Sequence, residues 1–326
     1  MTISPVFNHV KKTLIIKAET TMGTAIALTA PDNNIEWIQD SIEVDPQIEM
    51  AVNEFASGRH SIGPGTMGLK KMTVKAKALL RVGAAVGTAP TLGKAFIACG
   101  QLETIVAITS VAYTPAATHD QGDNINITAE VIFVPTSGNC IIVKMKGAMG
   151  NCQIGYDGGG KPWIAEFEFT GCFVSITDGA ALALTSPDAL VAPGSVGTVI
   201  TENSVAQKVS KFKLDFGNTI ELDEDPTDQS GYGAAYISKR VPKISWDPKA
   251  TLLATDPQYT NWAAGTELAV SLTTAAVNSI KYTVTAPKVQ IAVQKFGKRG
   301  TTLTWDQTGD CHENTGDDAH QIIQSA

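Results

Sequence analysis

Apolar and polar residues alternate along much of this chain, and the alternation predicts strands. In the run Lys71 to Leu80, Met72, Val74, Ala76 and Ala78 take every second position, so one face suits a core and the other suits water. From Ile35 onward, Ile38, Ile42 and Val44 are also spaced by even steps, with Ser41, Glu43 and Asp45 among them. A short strand is expected at Thr13-Leu14-Ile15-Ile16. Others are expected over 127–134, 140–145 and 164–170, and again over 268–273, 280–285, 289–294 and 301–305. Two short helices interrupt the pattern. Ala89-Pro90 to Gly100 has proline near its start and glycine at its end, where each suits a helix terminus, and Leu92, Phe96 and Cys99 share one face. Asp256-Pro257 to Gly265 is its partner, with Tyr259 and Trp262 as the expected buried face.

The strand pattern occurs twice. A shift of 172 positions lays Ile48-Glu49-Met50 on Ile220-Glu221-Leu222, and Lys71-Met72-Thr73-Val74 on Lys243-Ile244-Ser245-Trp246. A shift of 139 lays Val131 and Phe133 on Val270 and Leu272, and Asn139-Cys140-Ile141 on Asn278-Ser279-Ile280. At 137, Gln153-Ile154 falls on Gln290-Ile291, and both copies then reach a Thr-Gly pair, Thr170-Gly171 and Thr308-Gly309. Solenoid repeats run only ~20 to 50 residues, so two related fused units are the simpler reading.

The expected fold class is therefore mainly β: two tandem β-sandwich or half-barrel domains of about six to seven strands, each with a short flanking α-helix. The expected divisions are an extended N-terminal arm (1–34), a first domain (35–174, with an insertion at about 81–127), a linker (175–205) rich in small residues and proline, a second domain (206–310) and a polar C-terminal tail (311–326).

Composition changes this picture in one respect. Only 17% of the 326 residues are charged, against a typical ~25%, which leaves much neutral surface for a chain to hide against its own copies. The net charge of −7 argues against a nucleic-acid grip. No window resembles a signal peptide or a membrane-spanning stretch. The five cysteines form no CxxC pair, and most sit in apolar or strand-like runs, so reduced core thiols are expected.

Candidate chemistry is sparse. Cys311-His312 with His320 and Asp317-Asp318 fits no zinc spacing. Gly158-Gly159-Gly160-Lys161 lacks the phosphate-loop pattern, because Pro162 follows the lysine, and reads as a hairpin turn between Ile154 and Trp163. Glu166 and Glu168 share a strand face, as solvated residues do. His9, His60, His119, His312 and His320 all fall in expected loops or termini, so no catalytic set, cofactor or metal is expected. The densest charge is Glu221-Leu222-Asp223-Glu224-Asp225-Pro226-Thr227-Asp228, read either as a solvated loop or as a loop repelling a polyanion in a channel. Its counterpart, Pro46 to Ser57, holds only Glu49 and Glu54.

Several segments resemble one family when taken in order. They are Lys17-Ala18-Glu19-Thr20-Thr21-Met22-Gly23-Thr24, Gly87-Thr88-Ala89-Pro90 to Ala98-Cys99-Gly100, Tyr113-Thr114-Pro115, Phe167-Glu168-Phe169-Thr170-Gly171, Asp215-Phe216-Gly217-Asn218, Trp262-Ala263-Ala264-Gly265-Thr266-Glu267 and Ala286-Pro287-Lys288. Across nearly the whole chain they look like the major tail tube proteins of long-tailed (siphovirus-type) bacteriophages. The resemblance implies a β-sandwich subunit with a flanking helix and rings whose inner strands build a continuous barrel. It further implies a stacked tube that passes DNA without specific binding. Tape-measure, tail terminator and distal tail or baseplate proteins are the implied partners. Assembly in the host cytoplasm and residence in the virion are implied as well. A tandem chain is expected to close its ring with three copies. Arm and tail are expected to clasp the next ring, with Lys17, Glu19, Met22 and Gly23 as candidate arm contacts. Glu221, Asp223, Glu224, Asp225 and Asp228 are the candidate lumen or inter-ring loop. Two alternatives stand beside this reading: another tail, baseplate or secretion-system ring component of the same fold, and a carbohydrate-binding or adhesive β-sandwich.

Overall fold

Lys71 to Leu79 forms the inner half of a long strand whose four expected core residues, Met72, Val74, Ala76 and Ala78, are all buried. This computed structural model describes residues 7–51, 65–116 and 125–326. Residues 1–6, Glu54, His60 and His119 lie outside them, as do the side chain of His9 and the chain between Ala51 and Gly65. The first half contributes β1 (Phe7–Ala18), β2 (Glu43–Ala51), β3 (Thr66–Leu79), helix α1 (Gly93–Ala98), β4 (Gln101–Val106), β5 (Ser110–Pro115), β6 (Ile127–Pro135), β7 (Cys140–Asp157) and β8 (Ile164–Gly179). From the second half come β9 (Val199–Glu202), β10 (Val205–Gln207), β11 (Lys211–Asp215), β12 (Asn218–Glu224), β13 (Tyr232–Arg240), β14 (Lys243–Trp246), helix α2 (Gln258–Ala264), β15 (Glu267–Thr273), β16 (Lys281–Arg299), β17 (Thr302–His312) and β18 (Gln321–Ser325). The protein is mainly β, with antiparallel pairing throughout.

One sheet runs through both halves in the order β10-β9-β15-β16-β17-β14-β11-β7-β8-β3-β2, and β12 with β13 forms a separate hairpin. One main core also serves both: Leu14, Phe96 and Phe169 of the first half share a cluster with Phe212, Trp246 and Tyr282 of the second. The order β1-β6-β7-β8-β3 is followed on the other side by β9-β15-β16-β17-β14. The ladders match in register. Asp45, Thr73, Thr170 and Met149 lie opposite one another across β2, β3, β8 and β7; Lys213, Ser245, Thr308 and Val293 do the same across β11, β14, β17 and β16. Met149 is thus in line with Val293, whereas the sequence shift of 137 would have put Tyr156 there. Strand pairing, set by the core face and by bulges, overrides that short sequence match.

Four other expectations are corrected. Residues 7–18 are not a separate arm, because β1 pairs with β6 along its length. Leu14 and Ile16 enter the main core, while Ile15 packs with Ile132 and Cys140 on the opposite face. Nor is the tail frayed: β17 extends through His312, and β18 is inserted between β16 and β5. Residues 35–42 hold only a bridge from Trp37 to Ala78 rather than a strand. In α2 it is Gln258 that is buried, whereas Tyr259 and Trp262 are exposed.

Candidate functional site

The residues picked out as an arm and as an acidic loop meet at a bulge in β7. Gly147 adopts φ +55° there, donates its N–H to Glu19 Oε1 at 2.8 Å and accepts Asn126 Nδ2 at 3.1 Å. Asn126 also donates to the Ala235 carbonyl in β13 at 2.8 Å, and Thr128 Oγ1 donates to Glu19 Oε1 at 2.8 Å. Burial pushes the Glu19 carboxyl up, partly offset by the bonds from Gly147 and Thr128. Gly23 turns the chain at φ +70°, where a Cβ would stand 2.2 Å from the Gly233 carbonyl oxygen, so only glycine fits. Met22 precedes it in the same turn, and Lys17 pairs with Asp32 at 3.1 Å. The candidate arm contacts Glu19 and Gly23 are therefore committed inside their own chain.

The acidic loop is a folded turn fastened to the first half. Asp228 pairs with Lys146 of β7 and accepts the Ser230 N–H at 2.9 Å, while the Ser230 carbonyl accepts the Lys70 N–H of β3 at 2.8 Å. Burial raises the Asp228 carboxyl, but Lys146 and Ser230 outweigh it and hold it below the usual range. Asp225 accepts Thr227 N at 2.9 Å and Oγ1 at 2.6 Å, which lowers its pKa. Glu221 accepts the Tyr236 hydroxyl at 3.1 Å, and Glu221, Asp223 and Glu224 remain exposed. Beneath the turn, Ile220 and Leu222 pack with Met149, Ala235 and Ile237. The whole hairpin thus covers part of the opposite half's sheet.

The other feature spanning both halves is a strip of eight strands, β2-β3-β8-β7-β11-β14-β17-β16. Its join is the β11–β7 ladder, in which Lys213 faces Gly155. The strip turns alternate residues toward the core and away from it. Its outward face holds an open hollow of about 660 Å³ lined from β7, β8, β11, β14, β17 and β16. Unlike charges are matched along that face: Lys75–Glu168 at 3.3 Å, Lys77–Glu166 at 2.8 Å, Lys211–Asp157 at 3.2 Å and Lys243–Asp310 at 3.6 Å. Such exposed pairs add only ~0–1 kcal/mol each, so their main effect is to cancel the local field.

The candidate metal residues do not converge. Cys311 is buried against β16, His312 faces Glu267 at 3.2 Å, and Asp318 caps the Asn314–Thr315 backbone. No group of three or more His, Cys, Asp or Glu side chains gathers as a metal site among the described residues. All five cysteines are free and buried. Gly158 to Lys161 forms the turn between β7 and β8, and Glu166 and Glu168 are the partners of lysines already named. His320 is fully buried instead of lying in a loose terminus. It stacks on Phe216 with ring centres 4.8 Å apart, and burial, helped by Arg240, pulls its pKa down to about 3. Arg240 itself reaches the Gly100 and Ala116 carbonyls at 3.0 and 3.2 Å, anchoring the base of the β12–β13 hairpin. A buried polar chain lies in the second half: Trp246 Nε1 and Gln258 Nε2 each donate to Glu202 at 2.5 Å, and Gln307 Nε2 donates to Gln258 at 2.6 Å. Burial pushes Glu202 up to about 7. Sequence reasoning missed both groups, since neither has a local signal: their partners lie far away in the chain. No described helix is long and apolar enough to cross a membrane.

Compared with known families and curated proteins, the chain matches no family model and no curated sequence.

Proposed function

We propose that this chain is a structural, non-catalytic subunit of the phage tail tube type, whose task is to build rings from its own sheet. The observation that carries the reading is the eight-strand strip, in which four strands of one half are joined to four of the other in matching register. In this reading the halves are tandem units, and the β11–β7 ladder is the unit-to-unit joint. Three copies would supply about 24 strands. A barrel of that number, with strands ~4.8 Å apart and tilted ~40°, has a backbone diameter of roughly 48 Å. That is wide enough for a nucleic-acid duplex. The matched charges of the outward face suit such a lumen, because they give a polyanion little net attraction. The acidic turn, lying over one end of the strip, would add repulsion at a rim. Tape-measure, terminator and distal tail proteins as partners, and the virion as the location, belong to the same proposal.

Electron microscopy of the purified protein with native mass spectrometry tests it. Hollow filaments and rings of three chains are expected; six chains per ring would end the tandem reading, and a persistent monomer would end the assembly reading. The strip would equally suit another tail or secretion-system ring component, which differs in its partners. The adhesive alternative gains from the exposed Tyr259–Trp262 pair, 6.0 Å between ring centres, and a glycan array decides it.

A further inference from the structure

We propose that neighbouring copies join by laying the β2 edge of one on the Ile291–Arg299 stretch of β16 of the next, in the register that β11 and β7 already use inside each chain. This rests on the ring-forming reading and adds which strands meet, in what register and through which charges.

The two ends of the strip are complementary by comparison with its middle. The β7 edge that faces away from β8 is filled in two pieces, by β6 opposite Ile141 to Ala148 and by β11 opposite Gln153 to Asp157. The matching edge of β16 is filled by β15 only as far as Gln290, and no described strand pairs with Ile291–Arg299 there. At the other end, β2 pairs with β3 alone among the described strands and holds the row positions that β11 holds in the second half. What β11 does for β7 is what β2 of one copy would do for β16 of another.

Charge selects that pairing. The β2 strand carries Glu43, Asp45 and Glu49 and no base, whereas Ile291–Arg299 carries Lys295, Lys298 and Arg299 and no acid; Arg299 already pairs with Asp247 at 2.8 Å, so Lys295 and Lys298 carry the attraction. Like ends repel and unlike ends attract, so the contact is head-to-tail, the kind that closes rings or extends filaments. The register follows by carrying the inner joint across. Gly155, which faces Lys213, stands six residues beyond Met149 in β7; six beyond Val293 in β16 stands Arg299. Asp45 then faces Arg299, the last residue of β16, while Ile48 faces Phe296 and Glu49 faces Lys295.

Apolar cover is complementary in the same way. Inside the chain the β12–β13 hairpin lays Ile220 and Leu222 on Met149, leaving Met149 1% exposed. The β2–β3 hairpin leaves Ile48 and Met50 at 50% and 55% exposed, and Val293, in the Met149 position, is 43% exposed. The joint would cover all three.

Cysteine pairing between copies tests the register. Chains bearing Ile48→Cys and chains bearing Phe296→Cys, both at exposed strand positions, are mixed, assembled and oxidised; the natural thiols are all buried. Efficient cross-linking of these two is expected, and none between Ile48→Cys and Val293→Cys. A second arm reads charge without a cross-link. Glu49→Lys is expected to raise the half-assembly concentration at least tenfold, and adding Lys295→Glu to bring it back within about threefold. Normal rings that neither cross-link in this register nor respond to the charge exchange overturn the joint and leave the ring reading standing. A wild-type chain that never leaves the monomer overturns the ring reading, and the joint falls with it.

Discussion

The hairpins β2–β3 and β12–β13 rise from matching rows of the sheet and end in opposite circumstances. The second bends at Phe216-Gly217 and Val241-Pro242, where a Cβ on Gly217 (φ +64°) would stand 1.9 Å from the Val241 carbonyl oxygen. It then folds down over the other half and buries Ala235 and Ile237. The first hairpin lacks that bend and leaves Ile48, Met50 and Met67 in water at its far end. Sequence alone made the two look equivalent, since Ile48-Glu49-Met50 matches Ile220-Glu221-Leu222. The difference lies in what each has to cover. One finds its sheet within the chain, and the far end of the other meets none among the described residues.

The largest test of that contrast is a pair of truncations. Ile237→Ala should lower unfolding free energy by about 2–5 kcal/mol in urea titration, whereas Ile48→Ala should change the monomer by less than ~0.5 kcal/mol. Equal effects would erase the contrast.

Acid should loosen the covered hairpin from beneath. The folded-state pKa of His320, about 3, lies below the ordinary 6.5, so the unfolded chain binds more protons between those values and stability falls as pH drops through them. From pH 7 to 4 the loss is roughly 3 kcal/mol. Glu202 works in the opposite sense. Its pKa near 7 lies above the ordinary 4.5, so its contribution is fully present below about 4.5 and is lost as pH rises toward 7. Denaturant midpoints across pH 4 to 7 should therefore rise more steeply in Glu202→Gln and flatten or reverse in His320→Phe. Parallel profiles in the two variants would contradict both assignments.

Gly23→Ala is the third test, because it strains the turn that meets Gly233 at the hairpin's flank. A loss of roughly 1–3 kcal/mol is expected, read as a drop in melting temperature. The smallest effect belongs to the open hairpin. Pro46 takes in β2 the row position that Leu214 takes in β11, and proline has no N–H to give an incoming strand. Pro46→Leu should leave monomer stability nearly unchanged but lower the half-assembly concentration roughly fivefold, the worth of about one hydrogen bond. Light scattering during assembly checks it.

Local pattern carried a good part of this fold. Met72 to Ala78 announced a one-sided strand, the glycines at 158–160 announced a turn, and Phe96 with Cys99 announced a buried helix face. What it could not carry was partnership over distance. The terminal run ending in Gln321-Ile322-Ile323-Gln324 looked loose because its surroundings are polar, yet Gln324 Oε1 accepts the Gly83 N–H at 2.9 Å and its Nε2 reaches the Thr88 carbonyl at 3.0 Å. β1 looked like an arm because an isolated short strand has no visible mate; its mate begins more than a hundred residues later. The same holds for Glu19 and Asp228, whose charges suggested surface roles until Gly147 and Lys146 were seen beside them.

One consequence of β18 concerns the order of manufacture. Synthesis proceeds from the N-terminus, and β18 leaves the ribosome after both strands it joins, Ser110–Tyr113 of β5 and Lys281–Thr285 of β16. This stitch between early-made and late-made parts thus closes only after both of those strands have been made. A chain cut short before Gln321 would lack that seam, and such unfinished products are open to proteolysis before they can spoil a larger structure.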